Sequence, residues 1–292
     1  MKYRKWLKNN TCSLEGKTVA LTGATGGIGR ELCRYILSLG GSLLMLDRNM
    51  KRSLALRERL LKEFPQALIS NIPLDLENID SVRAALELLR KETPDVFIHN
   101  AGAYSIPRHK CSTGLDNVFQ INFVSPYFIT RELLKLEGNI KIVAVGSVAH
   151  RYSVTDAEDI DFSKRKASSL VYGNAKRYLM LSFWALAKEE KHISVAHPGI
   201  TLTNITAHYP PWLFAIIKHP MKIIFMHPKK AALCIIKGIF EDCDANEWIG
   251  PRIFDVWGFP RKGKLRGIDT AEIARVSETA EKIYVKLEEG YA

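Results

Sequence analysis

The chain has 292 residues, of which 47% are hydrophobic and 25% charged. That composition excludes disorder and suits one large α/β domain or two small ones. Five scattered cysteines with no C-x-x-C pair, and eight histidines with no H-x-x-x-H spacing, argue against a disulfide framework and a metal site.

The formal net charge of +11 is dispersed except in residues 1–10 and 261–266. Neither stretch forms a nucleic-acid motif, so the expectation is a solvated basic surface with no nucleic-acid partner. No apolar core follows the basic N-terminus. With the unpaired cysteines, this points to a cytoplasmic protein, with peripheral membrane contact through residues 1–10 and the apolar segment 201–227 as a minority reading. Residues 212–226 are strongly apolar, but Lys218, His219, Pro220 and Lys222 interrupt them, so the stretch is too short and too charged to span a bilayer.

Thr18–Thr22 reads as a β-strand, followed by a Gly-rich turn over 23–29 and a helix over 28–39, where Ile28, Leu32 and Ile36 recur on one face. Residues 43–46 form a continuously apolar strand. A charged helix follows over 50–64, then a strand over 67–72, a helix over 79–91 and a strand over Val96–His99. A long helix is expected over 115–136, bent near Pro126. A strand over Lys141–Val145, a polar interruption over 150–166, a helix over 168–188 and a strand over 193–197 complete the rhythm. This β-α-β order predicts an α/β fold: a doubly wound parallel sheet with helices on both faces. A basic extension, 1–13, would precede a single domain over 14–292. After Pro198 the pattern weakens to a helix over Pro228–Phe240 and a last strand over 248–254.

The turn contains Gly23, Thr25, Gly27, Ile28 and Gly29 between a strand and an amphipathic helix. Missing Cβ atoms let the chain approach a pyrophosphate, and the helix N-terminus offers N–H groups to it. Asp47 ends the second strand roughly 20 residues beyond, where an acidic residue hydrogen-bonds a ribose 2′-hydroxyl. NAD is therefore the expected cofactor. Arg48 beside it could hold a 2′-phosphate, which keeps NADP as the alternative. Tyr172 and Lys176 share one face of a helix. A phenol ionises near ~10, and one ammonium about 4 Å away could bring it close to neutrality.

These motifs resemble the short-chain dehydrogenase/reductase superfamily, which has a Rossmann-type fold. The residues that carry the resemblance are the turn, Asp75 and Leu76, Asn100-Ala101-Gly102, Asn122, Ser147, Tyr172 with Lys176, and Pro198-Gly199. Residues 142–150 and 250–260 are similar to the retinol-dehydrogenase-like and WW-domain-oxidoreductase-like branch. Gly146 departs from it, standing where the retinol-like enzymes often carry serine.

The resemblance implies Tyr172 as general acid/base, Lys176 on the nicotinamide ribose, Ser147 on the substrate oxygen and Asn122 on a relay water. It places Asp75 and Leu76 at the adenine, residues 100–102 on the adenosine side, Ile200 and Thr203 at the carboxamide, and Pro198 and Gly199 also at the cofactor. His99 and His197 are read as structural. The implied activity is NAD(P)-dependent interconversion of an alcohol and a carbonyl. A non-catalytic dinucleotide sensor or a sugar-nucleotide epimerase or dehydratase is the alternative. The apolar segment 201–227 is expected to form a lid for a lipophilic small molecule. A homodimer or homotetramer would pair through the helices over 115–136 and 168–188.

Overall fold

The computed structural model describes residues 2–160, 162, 164, 167–190, 192–201, 225–265 and 267–290. Helix α1 (Lys2–Asn10) precedes β1 (Thr18–Thr22), α2 (Gly27–Ser38), β2 (Ser42–Asp47), α3 (Met50–Glu63), β3 (Ile69–Pro73), α4 (Ile79–Glu92) and β4 (Val96–His99). Strands β5 (Lys141–Val145) and β6 (Ile193–Ala196) flank α7 (Ser168–Glu189). Helix α8 (Pro228–Phe240), the strands β7 (Glu247–Ile253) and β8 (Trp257–Lys264), and α9 (Thr270–Glu289) follow.

Among the described residues the sheet runs in the order β3-β2-β1-β4-β5-β6-β7-β8. It is parallel except for the β7–β8 hairpin. The order reverses between β1 and β4, and that opens a crevice at the carboxyl ends of the strands. One face packs against α4, α7 and the helix over Ser125–Leu134, and the other against α2, α3 and α8. Strands covered on both faces need apolar side chains at every position. Lys141–Val145 is accordingly buried throughout, with the Lys141 amine turned to Ser194 Oγ at 2.8 Å.

The long helix begins at Asn117 (α5, Asn117–Phe119), widens into a π-helical turn over Gln120–Val124 and continues as α6 (Ser125–Leu134). Pro126 has no N–H with which to bond the carbonyl four residues back. The helix answers with i−5 bonding, and Ser125 N–H donates to Gln120 O.

Three elements lie outside the expected set. Helix α1 is docked, not extended: Leu7 is buried and Trp6 stacks on Phe259 with ring centroids 6.4 Å apart. Strand β8 turns the expected last strand into a hairpin. Helix α9 lies across α6 and α7, burying Ile273, Val276, Ala280, Tyr284 and Leu287. Arg177 on α7 pairs with Glu272 on α9 at 2.5 Å, and Tyr284 donates to Glu132 at 2.7 Å. The chain's own α9 thus covers part of the helices over which two subunits were expected to pair.

Candidate active site

The turn between β1 and α2 is shaped by glycines. Gly23 has φ +69°, and a Cβ there would lie 3.0 Å from Ala101 Cα. A Cβ on Gly29 would lie 2.8 Å from Ala24 O. Gly26 caps α2 without a side-chain hydrogen bond. The first N–H groups of α2 therefore carry no capping side chain, Gly27 is exposed, and Thr25 and Ile28 flank it. That cradle fits a dinucleotide pyrophosphate. Asn100 ties the end of β4 to the turn, with Nδ2 donating to Thr22 O at 3.0 Å and Gly23 O at 3.2 Å. Thr22 Oγ1 accepts from the N–H groups of Asn100 and Ala101, both at 3.0 Å. Sequence reasoning missed this role for Thr22.

Asp47 is buried, and its carboxylate is engaged within the protein. Thr25 donates to it through N–H at 3.1 Å and through Oγ1 at 2.9 Å, and Ser53 Oγ donates at 2.7 Å. Its evident work is to pin the phosphate turn to the end of β2. Arg48 is exposed, 3.9 Å from Glu77. Asp75 Oδ1 accepts from Glu77 N–H at 3.1 Å, and buried Leu76 accepts Ser125 Oγ–H at 2.6 Å.

Ser147 follows β5, Tyr172 and Lys176 lie one turn apart on α7, and Asn122 lies in the π-helical turn. The structure brings these groups together. Burial pushes the Tyr172 hydroxyl up to about 12, hydrogen bonding with the Ser147 hydroxyl pulls against it, and Tyr104 adds to the rise. Burial lowers the Lys176 ammonium to about 8. Its Nζ donates to Val145 O at 2.9 Å and lies 5.9 Å from the Tyr172 ring centroid. The expected depression of the phenol by this ammonium is therefore not a property of the protein groups alone: burial dominates, and the opposing pull comes from Ser147.

Asn122 Nδ2 donates to Val118 O and Ala103 O, each at 2.8 Å, and Oδ1 accepts from Ala103 N–H at 3.3 Å. Its side chain clamps a loop instead of standing free for a water. A Cβ on Gly102 would lie 2.7 Å from Asn122 Oδ1 and 3.5 Å from Lys176 Nζ. The clamped loop carries Tyr104, whose ring meets that of Tyr172 edge-on at 5.2 Å. The next residue, Ser105, has φ +54°. Tyr104 makes an aromatic wall beside the phenol. Its place just after Asn100-Ala101-Gly102 was the available sequence signal.

His99 is buried with Nε2 2.8 Å from Thr130 Oγ1, and His197 with Nε2 2.9 Å from Asp255 O. Burial holds their pKa values at about 3 and about 4. Both are neutral packing groups at physiological pH. Pro198 and Gly199 follow β6. Gly199 has φ +79°, and a Cβ there would lie 2.6 Å from Val256 O. Ile200 O accepts Met226 N–H at 2.7 Å. Thr203 and most of the expected lid, 202–224, lie outside the described residues.

A family model described as short chain dehydrogenase matches residues 17–213. The chain belongs to the short-chain dehydrogenase family. It is 31% identical over 215 residues to retinol dehydrogenase 14 of Mus musculus, covering 67% of this chain and 64% of that protein. It is 28% identical over 225 residues to the WW domain-containing oxidoreductase of Drosophila melanogaster, covering 70% of this chain and 54% of that one. The chain thus spans somewhat less than two thirds of these relatives, in the branch its motifs pointed to. An uncharacterized protein from Mycobacterium paratuberculosis shares the fold, with a TM-score of 0.74 at 21% identity over 94% of this chain and 95% of that one.

Proposed function

We propose that the chain is an NAD(P)-dependent oxidoreductase that interconverts an alcohol and its carbonyl, with Tyr172 moving the proton. The observation that carries this reading is the convergence of Tyr172, Lys176 and Ser147 at the carboxyl ends of the strands, beside the cradle of α2. The residues held near the nicotinamide end would be Lys176, Pro198, Gly199, Ile200 and Thr203. Gly23, Thr25, Gly27, Ile28 and Gly29 would hold the pyrophosphate, and Arg48, Asp75, Leu76 and residues 100–102 the adenosine. The nicotinamide supplies or accepts the hydride when bound.

A phenol held near 12 is protonated at neutral pH, so Tyr172 is set to give its proton to a carbonyl oxygen. Ser147 donates a hydrogen bond to the same oxygen as charge develops there. Lys176, anchored on Val145 O, places a cation at the ribose side of that phenol. Tyr104 packs an aromatic wall against the reacting position. That wall and the retinol dehydrogenase relatives favour a lipophilic alcohol or carbonyl. The domain is read as single over residues 14–292, with a lid at about 201–227.

The sequence argument for NAD needs an Asp47 carboxylate turned to the ribose. That carboxylate accepts three internal hydrogen bonds, and Arg48 projects into solvent at the same strand end. This arrangement favours NADP as a second reading, with Arg48 on the 2′-phosphate. Paired titrations with NADH and NADPH separate the two. With the preferred nucleotide and a panel of lipophilic carbonyls, Tyr172→Phe should bind nucleotide normally and lose about 10³-fold in turnover. Full turnover by that variant would refute the role and revive a sensor or scaffold.

A further inference from the structure

Among the described residues no helix is long and apolar enough to cross a membrane. Of the two segments that the sequence offered for peripheral contact, 201–227 lies mostly outside the described residues, and residues 1–10 have their apolar side turned inward: Leu7 is buried, and Tyr3 and Trp6 pack on Phe259. A different surface carries the features of a membrane face. The β7–β8 hairpin turns through residues 254–256, between paired Ile253 and Trp257. Phe254 and Asp255 both take left-handed backbone, φ +51° and +58°. Such a turn is met at least cost by glycine or asparagine, and a bulky side chain there is strained. Phe254 is nonetheless 87% exposed and Ile253 48%. Neither the turn geometry nor the core calls for a phenylalanine at this position.

The chemistry around the tip is cationic. Arg151, Arg252 and Arg261 line a cavity of about 610 Å³ with Ile253, Phe254 and Asp255. Asp255 pairs with Arg151 at 2.8 Å and with Arg261 at 4.0 Å. One carboxylate thus serves two of the three guanidiniums, and among the described residues Arg252 has no carboxylate within ion-pair distance. The turn is anchored at the site: His197 Nε2–H donates to Asp255 O at 2.9 Å, and Gly199 closes against Val256 O.

We propose that the 253–257 hairpin is a membrane-docking tip, in which Phe254 and Ile253 enter the headgroup region of a bilayer and Arg151, Arg252 and Arg261 hold anionic lipid headgroups. An apolar wedge ringed by guanidiniums is complementary to that surface and to no neutral one. Docking there turns the carboxyl ends of β6 and β7, and with them the mouth of the candidate site, toward the lipid.

The test is co-sedimentation of the full chain with phosphatidylcholine vesicles, with and without about 30 mol% phosphatidylserine. Binding should require phosphatidylserine at about 0.1 M salt and be lost near 0.5 M. Phe254→Asn suits the left-handed turn, so it should keep or raise the melting temperature while weakening vesicle binding about tenfold. Arg252→Ser should weaken it about fivefold. No binding by the native chain, or equal binding by both variants, overturns the proposal. So does a chain that ignores vesicles but is stabilised by inorganic phosphate, because the cavity is then a pocket for a soluble anion. Nucleotide titration of the same variants reports separately on the oxidoreductase reading, which this surface does not depend on.

Discussion

Replacing Lys176 with methionine should produce a protein that is inert and more stable than the native one. Lys176 is 2% exposed, and burial lowers its ammonium from 10.5 to about 8. A fall of about 2.5 in pKa is worth about 3 kcal/mol, at 1.36 kcal/mol for each tenfold. That is the cost of keeping the charge in the folded chain at neutral pH. The variant also loses the 2.9 Å bond to Val145 O, which gives back about 1 kcal/mol. The net gain is about 2 kcal/mol, or about 5 °C in melting temperature for a domain of this size.

The pH dependence supplies the sharper signature. Between about 8 and 10.5 the folded chain has released the lysine proton while the unfolded chain still binds it. Raising the pH across that window therefore stabilises the native protein and leaves the methionine variant unaffected by this group. Urea titrations at a series of pH values should show the variant's advantage in full below pH 8 and gone by about 10.5. A variant less stable than native at pH 7, or an advantage that does not change with pH, would refute the claim that the site carries a destabilising buried cation.

Gly29→Ala should abolish nucleotide binding, because the new Cβ would drive into the Gly23 carbonyl and reach 2.8 Å from Ala24 O. Equilibrium titration with either nucleotide checks this, and affinity within a few-fold of native would contradict the geometry. Glu272→Ala should destabilise the fold by about 3 kcal/mol at pH 7, since it strands the Arg177 guanidinium beneath α9. Burial alone would raise the Glu272 carboxyl, but bonds from Arg177 and Thr155 outweigh it and hold it below the usual range. The native carboxylate therefore stabilises above its unfolded pKa of roughly 4.3. That contribution disappears as the pH falls through its lower folded value, so the gap between native and variant should close in acid denaturation curves.

The parallel sheet was readable because each buried strand is a run of apolar residues between helices of 3.6-residue period. The phosphate turn was readable because its glycines have a backbone reason to be there. Three elements hid from that logic. The residues of β8 are mostly Gly, Pro, Arg and Lys on an edge strand, where alternation carries little signal. The apolar face of α1 is only nine residues long. Helix α9 did carry a period, in Ile273, Val276, Ala280, Tyr284 and Leu287, and lay beyond the stretch where the β-α rhythm held. The widened turn at 120–124 leaves the pattern of apolar residues unchanged, so periodicity cannot distinguish it from an ordinary helix.

At the site, residue identities were legible and their partners were not. Lys176 is held by the backbone carbonyl of Val145, and Asp47 by Thr25 and Ser53 from different elements. Such contacts are set by how three segments meet, and no spacing along one segment encodes them. The same holds for Tyr104, which reaches Tyr172 only because Asn122 clamps Ala103.

The position of α9 has a consequence for how the molecule is made. It lies downstream of everything it covers, so α6 and α7 emerge from the ribosome with the surface around Phe128 still greasy and bare. Until residues 270–289 arrive, the nascent chain is at its most adhesive. A protein cut short before Thr270 should be drawn to holding chaperones or clump.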